Sequence, residues 1–165
     1  MSEYTVGEAM RVREELEQDA ASALGRALLA FSRLDIALGL MVASALRSEG
    51  HASRAERVGS MSFKERLDQM QAFGERLATT SGEAANALRD WLSQAERARR
   101  IRNQLVHGRW DIDPHNRRAL NIVNGPALDV QEVIAYTMEE LDAVGGDVKR
   151  LTTLLATTRR RWRLP

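Results

Sequence analysis

From residue 24 to residue 45 apolar side chains return every three, four or seven positions, as Leu24, Leu28, Phe31, Leu38, Val42 and Ala45. That spacing draws one stripe along a long helix ending near Arg47, and the stripe must be buried against other elements. The helix is predicted to open at Thr5-Val6-Gly7-Glu8, where the threonine oxygen caps the amide three residues on and the glutamate reaches back. Ala27 to Leu46 is the most apolar stretch of the chain, yet it holds Arg33 and Asp35. Each would cost about 2.5–3.5 kcal/mol at a bilayer centre, so the stretch reads as a core helix and no membrane partner is expected. Asp35 lies on the stripe itself, and a carboxylate on a core face requires a partner.

Three further helices follow from the same periodicity. Residues 48–60 are polar, hold Gly50, His51 and Gly59, and read as a loop. Ser62-Phe63-Lys64-Glu65 is a second capping box, followed by Phe63, Leu67, Met70, Phe73 and Leu77 on one face. Thr80 to Glu83 repeats the cap and opens a third helix to about His107, with Ala84, Leu88, Trp91, Ala95, Ala98 and Leu105 on its stripe. Arg102 also falls on that stripe, and Asp35 is its expected partner. Then the period changes to two. Trp110 and Ile112, and Leu120 and Ile122, flank Asp113-Pro114-His115-Asn116, which is turn chemistry for a hairpin closed off by Asn124-Gly125-Pro126. Asp129 to Glu132 is read as the cap of the last helix, with Val130, Ile134, Met138, Leu141, Val144, Val148, Leu151 and Leu155 as its stripe and Gly145-Gly146 marking close packing or a bend. The expected architecture is all-α, an antiparallel four-helix bundle with a small β-hairpin between the third and fourth helices.

A length of 165 residues, 44% hydrophobic, fits a single domain over 1–165, with a core of about 20–156 and a flexible basic tail at 159–165. The absence of cysteine removes disulfides and thiolate chemistry and is consistent with a cytoplasmic location. The net charge of +1 is unevenly spread. Residues 96–118 carry +4, residues 149–165 carry +6, and the remainder carries −9. Basic clusters on an acidic body point to a polyanion, although solvated helix ends look the same.

The stretch Arg99-Arg100-Ile101-Arg102-Asn103-Gln104-Leu105-Val106-His107-Gly108-Arg109-Trp110 combines four arginines, an amide and one of three histidines at a helix end. Gly108 is the expected left-handed stop. Asn103 and His107 are four apart and share a helix face, with Arg102 one position over. Histidine takes and gives protons near neutrality, and a guanidinium steadies a phosphoryl transition state. A histidine in the last turn is equally a favourable partner of the helix dipole. His51, His107 and His115 show no ligand spacing, so no metal and no cofactor are expected. Cleavage of RNA by its own 2′-hydroxyl needs an acid and a base, and a twofold dimer would supply two copies of His107.

Arg102-Asn103-x-x-x-His107 at the end of the third helix resembles the Arg-x4–6-His signature of the HEPN superfamily. The run Leu105-Val106-His107-Gly108-Arg109-Trp110 into a hairpin, and the Ser62-Phe63-Lys64 opening, are similar to bacterial members. The resemblance covers about residues 20–156. It implies a homodimer with a composite cleft, often a metal-independent endoribonuclease in toxin–antitoxin or phage-defence systems, with any antitoxin a separate protein. On that basis Arg102 and His107 are catalytic and Asn103 assists. Arg99, Arg100 and Arg109 are expected to bind RNA, with Asp35 in support. The family also includes catalytically inactive dimerisation and nucleotide-binding modules, which is the alternative reading.

Overall fold

The computed structural model describes residues 5–124 and 131–165. The elements run α1 (Val6–Ser48), α2 (Ala52–Glu56), a 3-10 turn (Arg57–Ser60), α3 (Phe63–Leu77), α4 (Gly82–His107), β1 (Arg109–Asp113), β2 (Arg118–Asn124), β3 (Gln131–Tyr136) and α5 (Met138–Arg161). The protein is mainly helical with one small antiparallel sheet, ordered β1-β2-β3. Two compact units are present, one made of Met1–Ala30 and Ile101–Asp147, the other of Phe31–Arg100 and Val148–Pro165.

The predicted start of α1 is present. Thr5 donates from its backbone nitrogen and hydroxyl to Glu8 Oε2 at 2.8 and 2.7 Å, and those bonds hold the Glu8 carboxyl below its ordinary pKa. The buried stripe differs in detail from the one read in the sequence. It runs Leu16, Ala20, Ala23, Ala27, Ala30, Leu34, Leu38, Met41 and Ala45, while Leu28 is 42% exposed. Alanines carry the first half of the stripe because a neighbour comes close there: a Cβ on Gly145 would lie 3.4 Å from the Ala27 backbone nitrogen. Of the two readings of Gly145-Gly146, close packing or a bend, close packing is found at Gly145, where α5 meets α1. By length and composition α1 is the one helix among the described residues able to cross a membrane, with a mean hydropathy of 1.6 over its most apolar window, 44% of it buried. It ends in a Schellman cap: Gly50 N donates to Arg47 O at 3.0 Å and His51 N to Leu46 O at 2.8 Å, with Gly50 left-handed at φ 81°.

In the first unit the sheet forms as the turn chemistry predicts. Asp113 accepts hydrogen bonds from the backbone of His115 and Asn116 at 3.1 Å and from Asn116 Nδ2 at 2.7 Å, which lowers its pKa. The register pairs Trp110 with Asn121 and Ile112 with Ala119. Ala119 and Asn121 are wholly buried, so Trp110 and Ile112 share their face with those two and not with Leu120 and Ile122. A third strand was not expected. Residues 131–136 form β3, paired with β2 through Asn121–Ile134 and Ala119–Tyr136, so Ile134 belongs to a strand and not to the last helix. The helix instead begins with the capping box Thr137–Glu140, where Thr137 N donates to Glu140 Oε2 at 2.8 Å and Glu140 N to Thr137 Oγ1 at 3.1 Å. Asp129 and Val130, assigned to the earlier cap, and Gly125 and Pro126, assigned to the hairpin end, lie outside the described residues.

In the second unit α3 carries the predicted capping box at Ser62–Glu65, with Leu67, Met70 and Phe73 buried. The segment read as a loop contains α2 and the 3-10 turn, each anchored by one buried side chain, Ala55 and Val58. The cap of α4 is Ser81 and not Thr80: Ala84 N donates to Ser81 Oγ at 3.4 Å, whereas the Thr80 hydroxyl bonds back to Leu77 O. Trp91 is fully buried, and its indole nitrogen donates to Leu151 O on α5 at 2.9 Å.

Asp35 finds its partner here. Its carboxylate accepts Arg66 Nη1 at 2.6 Å, and the same guanidinium donates to Val58 O and Gly59 O. Arg66, unremarked in the sequence, is buried, and Gly39 leaves room for it: a Cβ there would stand 3.3 Å from Nη1. The expected Asp35–Arg102 pair is replaced by this one because Arg66 brings a fork that also satisfies two backbone carbonyls.

The basic end of the chain is structured where a loose tail was expected. Helix α5 runs through Arg161 and closes in a Schellman cap, with Arg163 N on Arg160 O at 3.3 Å and Leu164 N on Arg159 O at 2.9 Å. Leu164 folds back and is buried. Arg163 occupies the left-handed position at φ 49° that glycine usually takes. A left-handed arginine costs about 1–2 kcal/mol, and glycine would return about 0.4–1 kcal/mol of unfolded-state entropy. Arg163→Gly is therefore expected to stabilise the protein by about 0.5–1 kcal/mol, read as a higher midpoint of urea unfolding.

Candidate functional site

The last two turns of α4, residues 101–107, present two faces. Leu105 points inward and is 4% exposed, while Ile101, Arg102, Val106 and His107 are exposed and Asn103 is half-buried. Arg102 therefore leaves the apolar stripe, contrary to expectation. Its Nη1 donates to Asn103 Oδ1 at 3.2 Å. The structure thus joins Arg102 to Asn103, and their helix spacing places Asn103 and His107 on one face. The His107 ring has no hydrogen-bond partner among the described residues.

The turn is held from the sheet. Helix ends leave carbonyls short of intrahelical donors, and two carbonyls of the last turn accept side chains of the hairpin. Trp110 Nε1 donates to Leu105 O at 3.0 Å, and Asn121 Nδ2 donates to Gln104 O at 2.9 Å. The Trp110 ring lies 5.9 Å from that of Tyr136, whose hydroxyl pKa is raised by burial and by Glu140. Asn121 is wholly buried, and its Oδ1 is an acceptor without a partner. Gln104 O also accepts Gly108 N at 2.9 Å, and an amide oxygen turned toward it would set two acceptors against each other, so the amide orientation is fixed by the Nδ2 bond. Gly108 ends the helix as predicted, but not by a left-handed turn: Gly50 is the glycine with positive φ among the described residues. Gly108 is required by space. A Cβ there would fall 1.6 Å from Asn121 Oδ1 and 2.8 Å from Gln104 O.

Asn121 and Trp110 are the residues that sequence reasoning missed as supports of this turn. The available signal was an asparagine in the middle of an otherwise apolar strand, Arg118–Asn124, where a polar side chain at an inward position requires a local partner.

The remaining predicted residues fall into two groups. Arg109 opens β1 with its side chain exposed. Arg99 and Arg100 lie one turn earlier on α4, and both are engaged by Glu96: Arg99 through Nε and Nη2 at 2.9 and 2.8 Å, Arg100 through Nε at 3.5 Å. The Arg99 hydrogen bond is the largest of the influences that hold the Glu96 carboxyl below its ordinary pKa. A depressed carboxylate pKa contributes stability above the unfolded-state value and loses it as pH falls through the folded value, so this clasp opens only in acid. His51 is exposed at the start of α2, and His115 is exposed in the hairpin turn. Among the described residues no three histidine, aspartate or glutamate side chains gather as metal ligands would. The turn offers an exposed imidazole for proton transfer, a guanidinium for an anionic centre, and an amide joined to that guanidinium. No protein-family model, curated protein or solved structure matches the chain.

Proposed function

We propose that the protein is a metal-independent endoribonuclease of HEPN type that acts as a homodimer, with α1, α3, α4 and α5 as its four-helix bundle. One observation carries the reading: Arg102, Asn103 and His107 lie within the last two turns of α4, with Arg102 and His107 exposed, and the sheet holds that helix end through Trp110 and Asn121. Ile101 and Val106, 37% and 42% exposed, flank Arg102 and His107 and are the apolar surface a twofold partner would cover. In the proposed reaction the ribose 2′-oxygen attacks the adjacent phosphorus and the bond to the 5′-oxygen breaks. A 2′,3′-cyclic phosphate and a 5′-hydroxyl end result. His107 takes the 2′-hydroxyl proton, His107 of the partner subunit protonates the leaving oxygen, and Arg102 steadies the charge on the phosphoryl oxygens.

The test is incubation of single-stranded RNA with the protein in excess chelator. The native protein is expected to cleave, His107→Ala to lose about 10²–10⁴-fold in rate, the usual contribution of a general acid or base, and Arg102→Ala about 10²–10³-fold, the usual loss of one charge-stabilising donor. No cleavage by the native protein, or undiminished cleavage by His107→Ala, overturns the proposal. The second reading, a catalytically silent RNA- or nucleotide-binding module, draws on the lack of any side chain that fixes the His107 ring among the described residues. Retained RNA binding without cleavage would establish it.

On either reading Glu96 restrains RNA affinity by occupying Arg99 and Arg100. Glu96→Gln is expected to tighten single-stranded RNA binding and to steepen its dependence on log salt by about 0.7 for each further phosphate neutralised, measured by fluorescence anisotropy at several salt concentrations.

A further inference from the structure

A separate cavity of about 640 Å³ lies in the second unit, between the C-terminal halves of α1 and α5. Leu40, Leu155 and Leu164 give it an apolar lining, and Arg159, Arg160 and Arg163 also border it. Its volume falls within the range of about 300–1,000 Å³ typical of small-ligand sites. The helix dipole favours cations at this end and accounts for arginines in the last turn. It does not account for their distribution. Arg161 is engaged elsewhere, its guanidinium 5.1 Å from the Trp162 ring centre, while the three arginines of the cavity have no carboxylate partner among the described residues. Arg163 reaches its place through a left-handed backbone that disfavours any residue but glycine, and the same turn folds Leu164 into the wall. A strained residue that brings a cation to the edge of an apolar cavity is characteristic of a binding site.

We infer that this cavity binds a free single-chain amphiphile with a carboxylate head, of fatty-acid type, its chain against Leu40, Leu155 and Leu164 and its head among Arg159, Arg160 and Arg163. The pairing is one of charge and surface together: guanidinium forks match a carboxylate in geometry, and the apolar lining matches a hydrocarbon. Neither half of the site explains the other half alone. The inference does not depend on the nuclease reading.

Calorimetric titration of the full chain with dodecanoate, below its micellar concentration, is the test, with 1-dodecanol and acetate in parallel. One dodecanoate is expected per chain. Dodecanol is expected to bind at least about tenfold more weakly, the loss of one charge-assisted hydrogen bond, and acetate not to bind. Arg160→Gln combined with Arg163→Gly is expected to weaken dodecanoate about tenfold and leave dodecanol unchanged. Both side chains are exposed, so the variant keeps its circular dichroism. Leu40→Asp, at a position 64% exposed, is expected to weaken both ligands. Equal affinity for acid and alcohol, indifference to the arginine variant, or binding to anionic phosphatidylglycerol vesicles without binding of monomeric dodecanoate overturns the inference.

Discussion

Gly108→Ala is expected to lower the unfolding free energy by about 2–4 kcal/mol, at or above the top of the usual range for overpacking a tight site. The new methyl group would sit 1.6 Å from Asn121 Oδ1 and 2.8 Å from Gln104 O, so either the β2 side chain or the last turn of α4 must move. Both carry the candidate site. Asn121→Ala tests the cause. Alone it removes one hydrogen bond to Gln104 O, whose carbonyl retains the Gly108 N–H at 2.9 Å, and it also removes a buried acceptor that has no partner. Its own cost is expected near 1 kcal/mol. In the double variant most of the overlap is gone, so the two substitutions are expected to couple by about 1–3 kcal/mol in a double-mutant cycle read by urea unfolding. Strict additivity would show that Gly108 is needed for a reason other than Asn121.

Arg66→Met is expected to destabilise by roughly 2–4 kcal/mol, toward the lower end for a broken buried ion pair. The Arg66 side chain is only 11% exposed, and its guanidinium serves four acceptors: the Asp35 carboxylate and the carbonyls of Asp35, Val58 and Gly59. Methionine fills similar space and satisfies none of them. The Asp35 side chain is 43% exposed and is rehydrated when its partner goes, which discounts its share. Most of the loss therefore falls on the backbone carbonyls of the 3-10 turn. Asp35→Asn should cost about 1 kcal/mol or less, and the difference between the two variants, measured by denaturant midpoint, checks this division. Equal losses would mean that the ion pair, and not the carbonyls, carries the energy.

These two residues show where the sequence was readable and where it was not. Capping boxes at Thr5–Glu8 and Ser62–Glu65 are local, each completed within four residues, and both appear as read. The Asp113 turn is local as well. The start of the last helix was misplaced because the apolar steps through Ile134, Met138 and Leu141 continue at helical spacing across a strand, while Val133, Ile134 and Tyr136 are β-branched or aromatic residues suited to β3. Asp35 was readable as a residue needing a partner, but the choice between Arg66 and Arg102 is tertiary and spacing cannot make it. Gly108 was readable as a helix stop. The reason lies in Asn121, which is thirteen residues on in sequence and adjacent only through the hairpin register. Arg102, Asn103 and His107 were visible as a cluster because all three fall within six residues of one helix.

The two side-chain donors that hold the end of α4, Trp110 and Asn121, face each other across the same pair of strands. The turn bearing Arg102 and His107 therefore cannot open locally while β1 and β2 remain joined without stranding both donors. Its breathing is tied to that of the hairpin, and whatever fixes the lifetime of the strand pairing also fixes how long the imidazole and guanidinium keep their mutual placement.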